Sequence, residues 1–331
     1  MSKINLAILR GGPSAEYDAS LLAGQAVMDV VDESRYNILD IFIDKNAIWH
    51  FKGIEVQPYS ILQKVDVAFN ALHGDYGEDG QVQNILERSG VAFTGPMAFG
   101  ATVSFHNFLS LQTVVQHKLN NLKIQGFQLF NSLDLMDEML GQKVDEVFSK
   151  FPPPYLVKPV KPDRDFEVAT ASTKDELFNL LSKMLMVYDE LLVEEYIYGT
   201  ELIVSLVEHL RGEDLYITPA IEILNRGKKT VDLHNGFISA TEDTVRMPAQ
   251  ISEKIKSQVP ALSESIFKIL EGRHYGQIMF SLARDKDLYF LGYNALPELL
   301  SNSLFSQSLE FLGVSFREFV EHVIQLALNG K

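Results

Sequence analysis

Eight consecutive residues, His73-Gly74-Asp75-Tyr76-Gly77-Glu78-Asp79-Gly80, gather one imidazole, three carboxylates and three glycines. Residues of these types can hold a cationic group, move a proton or cradle a ligand with backbone amides. They cannot form a strand or a helix interior. Glycine adopts backbone angles that other residues avoid, and acids beside a helix start favour its positive end. The apolar run Val65 to Leu72 precedes them as a buried strand. Gln81-Val82-Gln83-Asn84-Ile85-Leu86-Glu87 follows as a helix start. The loop is therefore a strand–loop–helix junction, the usual ligand position in an open α/β sheet. A tight turn before a capped helix leaves the same pattern, so the loop alone does not decide.

The elements around it set the frame. Ile4 to Leu9 is a short strand that ends in Arg10-Gly11-Gly12-Pro13-Ser14. Ala15 to Val31 has helical spacing, with Ser14 as a cap and Glu16 and Asp18 in the first turn. Ile38 to Ile43 and Val65 to Leu72 are parallel strands, so residues 1–95 make a small doubly wound sheet. Pro96 to Leu119 is helical in pattern, broken at Ser104, His106 and Asn107. Ile124 to Phe130 is a strand, and Leu133 to Phe148 a helix stopped by Pro152-Pro153-Pro154. Tyr155 to Val160 and Phe166 to Ala171 form a hairpin around Lys161-Pro162-Asp163-Arg164-Asp165. A helix from Lys174 to Tyr188 closes a second domain, 96–189. Residues 190–331 form a third domain. Its strands are Leu191 to Ile197, Glu201 to Leu210 and Leu215 to Leu224. Arg226 to Arg246 is a long polar loop of the kind that covers sites. Ser252 to Leu270 is an amphipathic helix, Gly276 to Ala283 and Leu288 to Tyr293 a hairpin, and Ser303 to Leu312 and Phe316 to Leu328 closing helices.

Bulk composition narrows the partners. The chain has 331 residues, 46% hydrophobic and 22% charged, as folded domains do. Its formal net charge of -15 repels phosphate backbones and anionic lipid, which argues against nucleic-acid or membrane partners. Cysteine is absent. That removes disulfides and thiol chemistry and suits a cytoplasmic location. No run is long enough to span a bilayer, and the chain starts on a strand rather than a signal peptide.

Taken together, the motifs resemble the D-alanine–D-alanine ligase family, whose fold is the three-domain α/β ATP-grasp. Four stretches carry the resemblance, in order and over nearly the whole chain: Arg10-Gly11-Gly12-Pro13-Ser14-Ala15-Glu16; the His73 loop continuing to Phe93-Thr94-Gly95; Leu192-Val193-Glu194-Glu195-Tyr196-Ile197 with Gly199 and Glu201; and Asn294-Ala295-Leu296-Pro297 with Ser301 and Ser303. The resemblance implies ATP and magnesium as cofactors and a small amino acid or dipeptide as ligand. It assigns Glu16, His73 and Ser303 to substrate binding. It assigns Lys158, Glu194, Glu195 and Glu201 to the nucleotide. It also implies a homodimer, or a subunit partnering an active paralogue. Each anchor has a plainer reading: a helix-start acid, a loop histidine, a helix cap. Lys158 sits mid-strand and needs an anionic partner, which is either the nucleotide or one of these glutamates.

Other positions depart from the family. Its glycine-serine-serine phosphate loop is Asp163-Arg164-Asp165-Phe166-Glu167 here, which sets acids against a triphosphate. A like-charge pair at about 4 Å costs roughly 4 kcal/mol at an effective dielectric near 20. A second phosphate lysine is Asn107. The metal aspartate, glutamate and asparagine are Ser281, Gly292 and Asn294, so only the neutral ligand remains. The oxyanion arginine is Met279, the oxyanion glycine is Glu298, and the lysine–tyrosine pair of the covering loop is Phe237-Ile238. The expectation is a homologue that keeps the fold and has lost ligation. The alternative is an active ATP-dependent ligase with a rearranged site that makes D-alanyl-D-alanine or a related dipeptide.

Overall fold

A computed structural model describes residues 3–135, 139–161, 169–224 and 245–330. The Asp163 to Glu167 segment, the Phe237-Ile238 pair and the polar loop up to residue 244 lie outside the described residues.

The chain begins with β1 (Ile4–Gly11), α1 (Tyr17–Val30), β2 (Tyr36–Ile43), β3 (Trp49–Phe51), β4 (Ile54–Glu55), α2 (Pro58–Leu62), β5 (Val67–Asn70), α3 (Gln81–Ser89) and β6 (Ala92–Phe93). These strands make one sheet in the order β4-β3-β2-β1-β5-β6. β1 pairs in parallel with β2 and β5, and β5 with β6, as the glycine turn and apolar runs imply. β3 and β4 add an antiparallel edge that the sequence did not signal. Both faces are buried. Leu6 and Ile8 point into one core and Ala7 and Leu9 into another, the alternation a strand imposes. Ser14 does not cap α1 as expected. Glu16 holds the cap position, and the Ser14 hydroxyl instead donates to the His73 carbonyl at 2.6 Å.

Next come α4 (Ala98–Phe105), α5 (Asn107–Gln116), β7 (Leu122–Lys123), β8 (Phe127–Asn131), α6 (Met139–Lys150), β9 (Tyr155–Pro159), β10 (Ala169–Ala171), α7 (Lys174–Met184) and β11 (Glu190–Glu195). The break between α4 and α5 falls at His106, whose extended backbone starts the second helix and whose ring nitrogen accepts from the Leu109 N–H. β8 to β11 form a four-stranded sheet, order β10-β9-β11-β8, with α6 and α7 closing one core.

The remainder is β12 (Gly199–Glu208), β13 (Leu215–Ile217), β14 (Ile221–Ile223), β15 (Val245–Arg246), α8 (Glu253–Ile269), β16 (Tyr275–Ala283), β17 (Leu288–Asn294), α9 (Leu304–Phe311) and α10 (Phe316–Leu328). Their sheet runs β15-β14-β12-β16-β17-β7. The expected single strand Leu215 to Leu224 is two, β13 and β14, both paired to β12. β11 and β12 are nearly continuous in sequence, yet they belong to different sheets, with Tyr196 to Tyr198 crossing between them. Two packings go beyond sequence order. Leu111 and Val114 of α5 share a core with β16, β17 and α8. Phe319, Val320, Val323 and Ile324 of α10 share one core with Leu6, Val67 and Phe69 of the first sheet.

Candidate functional site

The His73 loop is fixed from both ends. The Asn70 side chain, at the end of β5, donates to the Gly77 carbonyl at 2.9 Å and accepts from the Leu72 N–H. Gln83 of α3 donates to the same carbonyl at 2.8 Å. Trp49 Nε1 donates to the Tyr76 hydroxyl at 2.8 Å, and Tyr76 holds a φ of 74°. A β-carbon at Gly77 would lie 2.5 Å from Leu72 Cβ, so this glycine is required by packing. The His73 N–H donates to Ser20 Oγ, which ties the loop to α1.

Within this frame the His73 ring is 4% exposed and Glu16 6%. His73 Nδ1 meets Glu78 Oε1 at 2.9 Å. Burial alone would lower the imidazole pKa. The Glu78 hydrogen bond and charge, aided by Glu16 and Glu298, outweigh burial and raise it. His73 Nε2 is buried with no hydrogen-bond partner among the described residues. Glu16 also lines a cleft of about 440 Å³ between the first and central sheets, with Ser14, Gly74, Asp75, Lys161, Asp189 and Glu190 in its walls. Asp75 and Lys161 face each other across it at 3.9 Å, and Glu190 meets His106 at 3.5 Å.

A second group of expected residues lies on the central sheet. Lys158 of β9 and Glu194 of β11 form an ion pair, Nζ to Oε2 2.6 Å, with side chains 3% and 1% exposed. Gln125 donates to the other Glu194 oxygen at 3.0 Å. Of the two partners left open for Lys158, the protein supplies the glutamate. Glu195 accepts from the Gly126 N–H at 3.2 Å. Glu201 stands on β12 directly opposite Ser281 of β16.

The third group is on the β16–β17 hairpin. Register sets Met279 opposite Gly292 and Gln277 opposite Asn294, with a bulge between Met279 and Phe280. Met279 is buried in an apolar cluster with Ile203, Ile221, Ile223 and Leu304. The Ser281 hydroxyl is buried and lacks a partner among the described residues. Gly199 packs on it so closely that an added Cβ would approach Ser281 Oγ to 2.5 Å. Asn294 Oδ1 accepts from the Leu296 N–H at 2.9 Å, a local turn bond. Among the described residues no three carboxylates or imidazoles converge on a metal position. Magnesium wants several oxygen ligands in an octahedron. A buried hydroxyl, a glycine and an amide engaged by its own backbone do not fit it.

Ser303 caps α9, its hydroxyl accepting from the Ser306 N–H at 3.2 Å. Asn107 is buried at the start of α5, its N–H donating to the Val160 carbonyl at 3.0 Å. The structure thus brings Glu16, His73 and Glu298 together, and Lys158 with Glu194. It keeps Ser303 in its own capping turn. The Trp49–Tyr76 bond was missed by sequence reasoning; a lone tryptophan among apolar neighbours gives no hint of its partner.

Comparison with known proteins fits this geometry. The family profile described as D-ala D-ala ligase C-terminus matches residues 117–325, and the one described as D-ala D-ala ligase N-terminus matches 51–96. The chain belongs to the D-ala D-ala ligase family. It is 28% identical to a D-alanine–D-alanine ligase of Desulforamulus reducens over 98% of this chain and 99% of the relative. A Fervidobacterium nodosum D-alanine–D-alanine ligase is also 28% identical, over 97% and 98%. In fold this ligase homologue matches the VanG D-Ala:D-Ser ligase from Enterococcus faecalis, with a TM-score of 0.82 at 20% identity, covering 98% of this chain and all of that one. It also matches the Bacillus anthracis D-alanine–D-alanine ligase complexed with ATP, with a TM-score of 0.77 at 21% identity over 99% and 98%. The ATP-grasp architecture is therefore established for this chain.

Proposed function

We propose that this family member has kept the ligase frame and lost the ligation chemistry, and now serves as a binding module or as a partner subunit. The observation that carries the reading is the β16–β17 hairpin. Where the family resemblance calls for an arginine and two metal carboxylates, the strands present Met279, Ser281 and Gly292, with Met279 sunk among isoleucines. An oxyanion donor alone is worth about 10²–10³ in rate. Lys158 adds support, because its ammonium is already met by Glu194. ATP remains a candidate ligand through Glu195 and Glu201, while magnesium does not suit the donors present. No described helix is long and apolar enough to cross a membrane. The test is phosphate release from ATP and D-alanine with magnesium, alongside calorimetric titration of ATP with and without the ion. No release above background is expected, and no gain in ATP affinity on adding magnesium. D-alanyl-D-alanine made at ordinary enzyme speed would overturn the reading in favour of an active ligase.

A further inference from the structure

Helix α8 carries Pro260 in its interior. Proline is the least favourable residue there, because it has no N–H to give and its ring presses on the carbonyl four residues earlier. That carbonyl belongs to Lys256. In an unbroken helix, the residue at position 260 would donate to it. With proline there, the donor is missing and the Lys256 carbonyl keeps an accepting site. Lys256, Val259 and Pro260 share one helix face, at the i, i+3, i+4 spacing. All three line a pocket of about 290 Å³. Its other walls are the turn between β13 and β14, with Pro219, and the segment after β15, with Pro248 and Ile251. None of these residues lines the cleft at Glu16.

The chemistry of the walls narrows the occupant. Three proline rings present apolar faces and no backbone N–H. Among the described lining residues Lys256 alone is charged, and its ammonium already meets Glu253 at 2.6 Å. That pair offers little to an anion, and the chain's net charge of -15 opposes one. The polar feature that α8 contributes is an acceptor. An uncharged planar ring with one N–H on its edge meets both demands, its faces against the prolines and its hydrogen on the carbonyl. The volume is at the bottom of the range of about 300–1,000 Å³ for ligand pockets, which suits a single fused ring system rather than a nucleotide.

We propose that the pocket between α8 and the β13–β14 turn binds a small neutral aromatic heterocycle with a ring N–H, of the indole class, and that the carbonyl left open by Pro260 accepts that hydrogen. The site shares no residue with the ligase frame's cleft and stands whether or not ligation is lost.

The test is saturation-transfer NMR on the full chain at pH 7, titrating indole and benzofuran. The two rings have nearly the same shape and differ in the donor. Indole should bind about threefold to tenfold tighter, the worth of one neutral hydrogen bond. Pro260→Ala supplies an N–H to the Lys256 carbonyl, so indole should lose its advantage over benzofuran. This variant should melt no lower than wild type, because alanine is the better helix residue. Ile251→Asn sets an amide in the apolar wall and should weaken both probes together. Benzofuran binding wild type as tightly as indole would overturn the proposal. So would a preference that survives in Pro260→Ala, binding that Ile251→Asn leaves untouched, or no binding of either probe at millimolar concentration. If a variant fails to fold, the wild-type preference decides alone. Phosphate release from ATP and D-alanine reads a different site, so neither result bears on the other.

Discussion

Lys158 and Glu194 sit two residues out of register on adjacent antiparallel strands, and their charged ends meet at 2.6 Å inside the central sheet. Diagonal neighbours on a sheet face are within reach of long side chains. The pair is almost wholly removed from water, so the two charges offset one another where solvent cannot. Lys158→Met should take the ammonium from a buried Glu194 and lower stability by about 3–5 kcal/mol. The double variant Lys158→Met with Glu194→Leu should recover most of that loss. Urea unfolding of the three proteins checks it, and a single variant no worse than the double would contradict the pairing.

Met279, the position that the family resemblance gives to an oxyanion arginine, is poorly suited to receive one. Met279 is packed against Ile203, Ile221, Ile223 and Leu304. Met279→Arg would bury a guanidinium among aliphatic side chains, at a cost of several kcal/mol. The expected result is a marked fall in melting temperature and no gain of D-alanyl-D-alanine synthesis. A stable variant with unchanged melting would show that the cluster opens readily.

His73 should titrate above the ordinary histidine value of about 6.5, because Glu78, Glu16 and Glu298 outweigh the effect of burial. A base whose pKa is raised on folding adds stability below its unfolded value and loses it as pH climbs through the folded one. The stabilisation is thus full below about pH 6.5 and fades above it. In Glu78→Gln burial should dominate, and the pKa should drop. Proton NMR of the imidazole in both proteins reads the reversal.

His106 runs the other way. Burial is the chief cause of its lowered pKa, against the raising influence of Glu190. Its Nδ1 accepts from the Leu109 N–H, which requires that nitrogen to be unprotonated. Stability from the neutral form is present above about pH 6.5 and is lost as pH falls toward the lowered folded value. His106→Asn, which can cap without titrating, should flatten the acid side of the stability profile measured by urea unfolding.

Trp49→Phe should cost about 1–3 kcal/mol, since the buried Tyr76 hydroxyl loses its donor. Tyr76 already titrates high because of burial, and the Trp49 bond moderates this. Its removal should push the tyrosine higher still in an ultraviolet pH titration. An unchanged Tyr76 would mean that the bond has no electrostatic effect.

Much of the frame was legible from residues. The parallel strands around β1, the His73 junction, α8 and the β16–β17 hairpin follow from apolar period and glycine placement, which are local signals. The rest depended on distant packing. Nothing near Phe319 or Val323 says that α10 covers the first sheet rather than the third. The register of Glu201 against Ser281 likewise exists only once β12 and β16 pair. Pro219, between β13 and β14, was a local clue to the strand break. The choice between nucleotide and glutamate for Lys158 needed three-dimensional proximity, because both satisfy the same electrostatic demand.

The docking of α10 onto β5, β6 and α1 has a consequence for synthesis. The ribosome delivers this helix about 250 residues after β5. Until then the face formed by Leu6, Val67 and Phe69 has no cover from the C-terminal end. A sheet translated early is therefore sealed late, and a nascent chain halted before residue 316 would carry a greasy open flank.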